Sequence, residues 1–195
     1  MSNNMFRALQ KWHKTPSDGI LKKMAKGGIF GLFFSLILMS IFFFLAGTYP
    51  HLVLFSQICF SKQFLVNLYE NANLFYYRIG QIVDYGFMVS VAFSLFAGCI
   101  LKAREFSENS KSQQLLFICA LLGLILIGCD AFENVFILLT LQDPINFPSI
   151  LAILQSSFSL IKWILLVLIN LIILEISIST KRKKNKDKDC ENNLT

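Results

Sequence analysis

The chain has 195 residues, 55% of them hydrophobic and 15% charged, with a formal net charge of +6. A soluble domain carries about 25% charged residues. Here the deficit lies in long uncharged runs, which excludes a soluble fold and leaves no room for a separate soluble domain. The basic residues flank those runs instead of forming a stripe interleaved with aromatics. That argues against nucleic acid and for anionic lipid headgroups as their partner.

In chain order, residues 1–26 form a basic segment in which Met5, Phe6, Leu9 and Trp12 have the spacing of a short amphipathic surface helix. The first span is expected at about 27–47, without a charged residue. Its length of about 20 residues exceeds the roughly 7–15 of a signal-peptide core, so an uncleaved span is expected. The connection that follows is rich in Leu and Phe. Ser61 is placed to cap an interfacial helix from Lys62 onward, with Phe64, Leu65, Leu68 and Phe75 on its apolar face. Tyr76 and Tyr77 then fall at headgroup level. The second span is expected at about 82–101, containing Asp84. The third, about 115–141, carries Asp130, Glu133 and Asn134. The fourth, about 150–178, carries Lys162, Asn170 and Glu175, and residues 179–195 form a basic tail expected to be disordered.

A bilayer core about 30 Å thick needs about 20 apolar residues in a helix, and unbonded backbone groups are too costly there for irregular structure. A β-barrel needs alternation that Ile41-Phe42-Phe43-Phe44-Leu45 lacks. The expected fold is therefore all-α: a polytopic transmembrane four-helix bundle, domain 27–178, with an interfacial helix in the first extracytoplasmic connection. The charge pattern orients it. Arg7, Lys11, Lys14, Lys22, Lys23 and Lys26 precede span one; Lys102, Arg104 and Lys111 separate spans two and three; Lys181, Arg182, Lys183, Lys184, Lys186 and Lys188 follow span four. The other two connections hold only Lys62 and Arg78. The positive-inside rule then puts both termini in the cytoplasm of a multi-pass cell-membrane protein.

Motifs for chemistry are sparse. Cys59, Cys99, Cys119, Cys129 and Cys190 form no C-x-x-C pair for dithiol electron transfer. His13 and His51 fall on opposite expected sides of the membrane and cannot share a metal. No phosphate loop, nucleophile elbow or zinc motif occurs. No metal, no cofactor and no catalytic residue is assigned.

The informative residues are the ionisable ones within the spans. A charge at the centre of a spanning helix costs roughly 2.5–3.5 kcal/mol, so Asp130, Glu133 and Lys162 would cost on the order of 8–10 kcal/mol unpaired. They are expected to face the bundle interior and meet. Asp130, Glu133 and Asn134 share one helix face by their i, i+3, i+4 spacing. Gln155, Ser159, Lys162 and Asn170 form a polar stripe on span four. Asp84, with Gln81 and Tyr77 on its face, is expected one turn into span two from the outer interface. Glu175 is expected to snorkel near the inner boundary. Helix packing is expected at two small-residue faces, Gly27, Gly31, Ser35 and Gly86, Ser90, Ser94.

The segment from Tyr69 through Asp84, the Asp130-x-x-Glu133-Asn134 element and the Ser159-x-x-Lys162-Trp163 element resemble a family of small bacterial four-span membrane proteins. That family has an aromatic-rich approach to an Asp in span two, D-x-x-E-N in span three, and S/T-x-x-K-W in span four. The resemblance covers about residues 27–178. Family members often follow the span-two Asp with Pro, where this chain has Tyr85-Gly86-Phe87. The resemblance implies the four-span architecture and the cluster Asp84, Asp130, Glu133, Asn134, Ser159, Lys162 and Trp163, and carries no activity.

Three function classes remain. One is a structural or accessory membrane protein whose polar cluster specifies the fold. A second is a binder of a small molecule or lipid. The third is a proton-coupled transporter or a membrane-embedded enzyme acting on a lipid, with Asp130 or Glu133 as acid–base. Expected partners are membrane lipids, with anionic headgroups at the basic cytoplasmic segments, and a second copy or another membrane protein.

Overall fold

A computed structural model describes residues 12, 14–48 and 51–192. Four helices are long and apolar enough to cross a membrane: α1 (Asp18–Leu45), α4 (Leu74–Ala103), α5 (Lys111–Thr140) and α6 (Ser149–Asn192), the last apolar as far as Lys181. Two short helices, α2 (His51–Ile58) and α3 (Lys62–Asn71), lie between the first two spans. This is the all-α four-span membrane protein expected. Phe30, Phe33, Ile37, Ile41 and Phe44 on α1 are each about half exposed or more, as side chains facing hydrocarbon should be.

The spans outrun their apolar cores. α4 starts at Leu74 because Asn73 caps it, its side chain accepting from Phe75 N and Tyr76 N. Asp84 therefore lies about ten residues, roughly 15 Å, from the start of the helix, whose first turns precede the apolar span expected at 82–101. Phe75 belongs to this helix, is exposed, and is not on the face of α3. At the other end of the chain, the backbone of the basic segment expected to be disordered continues α6 to Asn192. No Gly or Pro interrupts the sequence after Pro148, and a helix nucleated by the span propagates readily through Lys, Arg and Glu. The surface helix expected around Met5, Phe6 and Leu9 lies outside the described residues.

The spans pack in sequence order, α1 on α4, α4 on α5, α5 on α6, and α1 does not pack extensively on α6. The bundle is thus an arc open between its first and last spans. The α1–α4 seam joins the two small-residue faces in antiparallel register, Gly28 and Gly31 against Ser90 and Ser94, Ser35 against Gly86. Further along, Gly80 admits the ring of Phe43. The close-packing glycine at the start of the seam is Gly28; Gly27, expected from the spacing, faces open space. Ser90 and Ser94 spend their hydroxyls on carbonyls one turn back in their own helix.

Two apolar cores result. One, near the α4–α5 connection, gathers Leu21, Ile100, Leu116, Phe117 and Ile169. Trp12 packs edge-on against Phe96 and Phe117 there, and Arg104 holds the chain before α1 by bonding the carbonyls of Trp12 and Pro16 and the carboxylate of Asp18. The other, at the α2–α3 end, gathers Phe43, Leu65, Leu68, Tyr77, Ile137 and Phe147.

α3 matches the interfacial helix expected from Ser61, whose hydroxyl accepts from Phe64 N at 3.2 Å. It docks through Tyr69, whose hydroxyl lies 2.8 Å from that of Thr140; burial raises the Tyr69 phenol well above its ordinary range, so it stays neutral. α2 is an additional element. Its C-terminal turn lies beside Gln155, Ser156 and Trp163 of α6, so it dips between the ends of α1 and α6. Backbone buried against a neighbouring helix needs partners. Gln155 Nε2 donates to Ser56 O at 3.0 Å, and Phe60 N donates to Ser156 Oγ at 3.1 Å.

Candidate functional site

Between the two apolar cores lies a polar layer. Lys162 Nζ on α6 is 2.8 Å from Asp130 Oδ1 and 2.5 Å from Glu133 Oε2 on α5. The Glu133 contact is an ion pair by distance, off the direction of a well-aligned hydrogen bond, and Glu133 is wholly buried. Its Oε1 and the Ser159 hydroxyl find no hydrogen-bond partner among the described residues. Asn134 Nδ2 donates to Asp84 Oδ2 at 2.6 Å and approaches Met88 Sδ at 3.3 Å, tying α5 to α4. Asp84 is not within ion-pair reach of Lys162, and its Oδ1 accepts no hydrogen bond from a described residue.

Helix periodicity explains this convergence. Asp130, Glu133 and Asn134 occupy one face of α5, and that face points two ways at once, toward α6 for the acids and toward α4 for the amide. Asp84, Asp130 and Lys162 lie about 10–13 residues from the α2–α3 ends of their helices, so they meet at one level. Asp84, Asp130 and Lys162 are each less than a tenth exposed, and Glu133 is wholly buried.

Other residues singled out by sequence fall elsewhere. Trp163 is more than a third exposed; its indole N–H donates to Gln57 of α2 at 3.1 Å, with its ring 5.7 Å from Lys162 Nζ. Asn170 is not part of the buried stripe: it is exposed and donates to Leu166 O one turn back. Glu175 is exposed. Gln155 is committed to the last turn of α2, and Arg78 caps α5 through the Leu141 carbonyl.

The polar layer opens onto a cleft of about 530 Å³ where α1 and α6 fail to close. Leu32, Leu36, Met39 and Phe43 of α1 form one wall, and Trp163 and Leu166 of α6 the other. Val53, Leu54 and Gln57 of α2 roof it, with Phe87, Val91 and Leu126 farther in. Asp84, Asp130 and Lys162 are its charged lining. Sequence reasoning found these three residues. It missed the cleft and α2, because neither periodicity nor charge reveals which pair of spans stays apart.

Among the described residues, no group of three His, Cys, Asp or Glu side chains is arranged to hold a metal ion. Comparison with protein-family models, curated proteins and solved structures finds no match.

Proposed function

We propose that this four-span membrane protein binds an amphiphile, a lipid or a lipid-like small molecule, in the cleft between α1 and α6. The carrying observation is the composition of that cleft. Apolar walls lead from the lipid side to a buried set of charged groups, and the volume falls within the range of small-molecule sites, roughly 300–1,000 Å³. An acyl chain lying between α1 and α6 would cover apolar surface that those spans leave unpaired, while its head meets Asp84, Asp130 and Lys162.

The test uses the full chain in phosphatidylcholine nanodiscs with a twelve-carbon amphiphile carrying a photoreactive diazirine in its chain. Saturable labelling is expected at Leu36 and Leu166, with only proportional, unsaturable labelling at Ile125 on the exposed face of α5. Leu36→Trp fills the cleft and is expected to cut the saturable component at least about tenfold. Equal, unsaturable labelling at all three positions would remove the proposal.

The purely structural reading keeps one specific support, the position of the ion pairs between two separate apolar cores, where they fix how α5 and α6 align. The charge distribution supports a cell-membrane location with both termini cytoplasmic and α2–α3 on the opposite side. An impermeant maleimide is then expected to label Cys59, half-buried beside Ser61, in intact cells, and Cys190 only after permeabilisation. The reverse pattern would invert the orientation.

A further inference from the structure

We infer that the head of the cleft's ligand is a cation, an ammonium or guanidinium, and not a phosphate, sulfate or carboxylate. The inference rests on the amphiphile-binding reading and adds the chemical class of the ligand.

It follows from charge arithmetic in the polar layer. Three carboxyl groups, Asp84, Asp130 and Glu133, share the polar layer with a single ammonium, Lys162, which pairs with Asp130 and Glu133 while Asp84 is held by Asn134. The nearby cation Arg78 is engaged with the end of α5. Buried charge is tolerated when paired and hydrogen-bonded, and one ammonium balances one carboxylate. With all three ionised, the layer holds two more negative charges than positive, so a cationic head offsets the excess and an anionic head adds to it.

Geometry agrees. Among the described residues, Lys162 is the one cation lining the cleft, and it already faces Asp130 and Glu133. An anion that drew Lys162 away would leave both acids unpaired, the costly way to break a buried ion pair. The group with spare capacity is Asp84. It lines the cleft and is more than nine-tenths buried, and Asn134 bonds only one of its oxygens. That leaves Oδ1 as an acceptor for a charged N–H donor, the strong class of hydrogen bond. The rings of Phe43, Phe87 and Trp163 line the same space, and aromatic faces attract cations.

The experiment compares three probes with the same diazirine-bearing twelve-carbon chain and a primary ammonium, a hydroxyl or a sulfate head. The full chain is held in nanodiscs of phosphatidylcholine alone, so that no anionic lipid recruits the ammonium probe. Labelling at Leu36 and Leu166 is normalised to labelling at Ile125, which corrects for partition into the bilayer. The ammonium probe is expected to saturate the cleft at a concentration roughly tenfold or more below that of the hydroxyl probe, as one charge-assisted hydrogen bond allows. The sulfate probe is expected to be the weakest. Asp84→Asn, which keeps an acceptor for Asn134, is expected to bring the ammonium and hydroxyl probes close together.

Equal saturation by the three heads, or a preference for sulfate, would overturn the cationic assignment while leaving amphiphile binding intact. Absence of saturable labelling by every probe, or disulfide cross-linking of two copies of the chain through Leu36→Cys and Leu166→Cys, would overturn both. The wild-type comparison alone decides head-group preference, so the conclusion does not hang on whether Asp84→Asn folds.

Discussion

Lys162→Met alone is expected to cost about 3–5 kcal/mol of stability, the usual penalty for leaving one side of a buried ion pair without its partner. Asp130 and Glu133 both depend on Lys162 for an opposite charge, at 2.8 and 2.5 Å, and neither can turn to water without leaving its helix face. The triple variant Lys162→Met, Asp130→Leu, Glu133→Met is expected to recover most of the loss, because replacing every member of a buried ionic set with hydrophobic residues of similar volume is often neutral for stability. Thermal unfolding of the purified chain in detergent, followed by the loss of the monodisperse species, measures both. A single variant as stable as wild type would show that the ion pairs hold nothing in place. The triple variant also separates structural from binding roles. If the cluster only aligns α5 and α6, a well-folded triple variant retains every property of the wild type; if it recognises a ligand head, the fold survives and ligand capture changes.

The second large effect is expected at a pair of adjacent glycines. At Gly28 an added Cβ would sit 2.5 Å from Ser94 Oγ, 2.7 Å from Ser94 N and 2.8 Å from Ser90 O. A hydroxyl can rotate away, but the backbone atoms can yield only if α1 and α4 separate. Gly28→Ala is therefore expected to destabilise by about 1–3 kcal/mol, the range for overpacked sites. Gly27→Ala, one residue away, meets nothing within 4 Å and is expected to be neutral or to stabilise by up to about 1 kcal/mol through helix propensity. The two variants have the same composition, so their unfolding midpoints in one detergent compare directly. Equal midpoints would mean that the seam is looser than its geometry indicates.

These glycines show where sequence reasoning reaches its limit. The spacing of Gly27, Gly31 and Ser35 marks a small-residue face correctly, but a face on a helix of 3.6 residues per turn is broad enough to admit Gly28 as well. Which glycine makes the close approach depends on the rotation of α1 against α4. The same holds for Gln155 and Asn170, placed by spacing on one stripe with Lys162. One bonds the last turn of α2 and the other turns outward to its own helix. The Ser61 cap was legible because its physics is local: a hydroxyl three residues before an amide it can accept from.

By itself the sequence determined the number of membrane helices, the existence of a helix after Ser61, and the set of residues too costly to leave unpaired in lipid. Each of these follows from short-range terms, the apolar length needed to span hydrocarbon, the caps, and the price of a charge there. Only the tertiary structure decided that Asp130 and Glu133 share Lys162 while Asp84 is held by Asn134 instead. It also decided that α2 dips beside α6 and that α1 and α6 stay apart, leaving a charged cleft between them. Those outcomes depend on how whole helices rotate and tilt against one another, and the helix period along a single chain does not specify that.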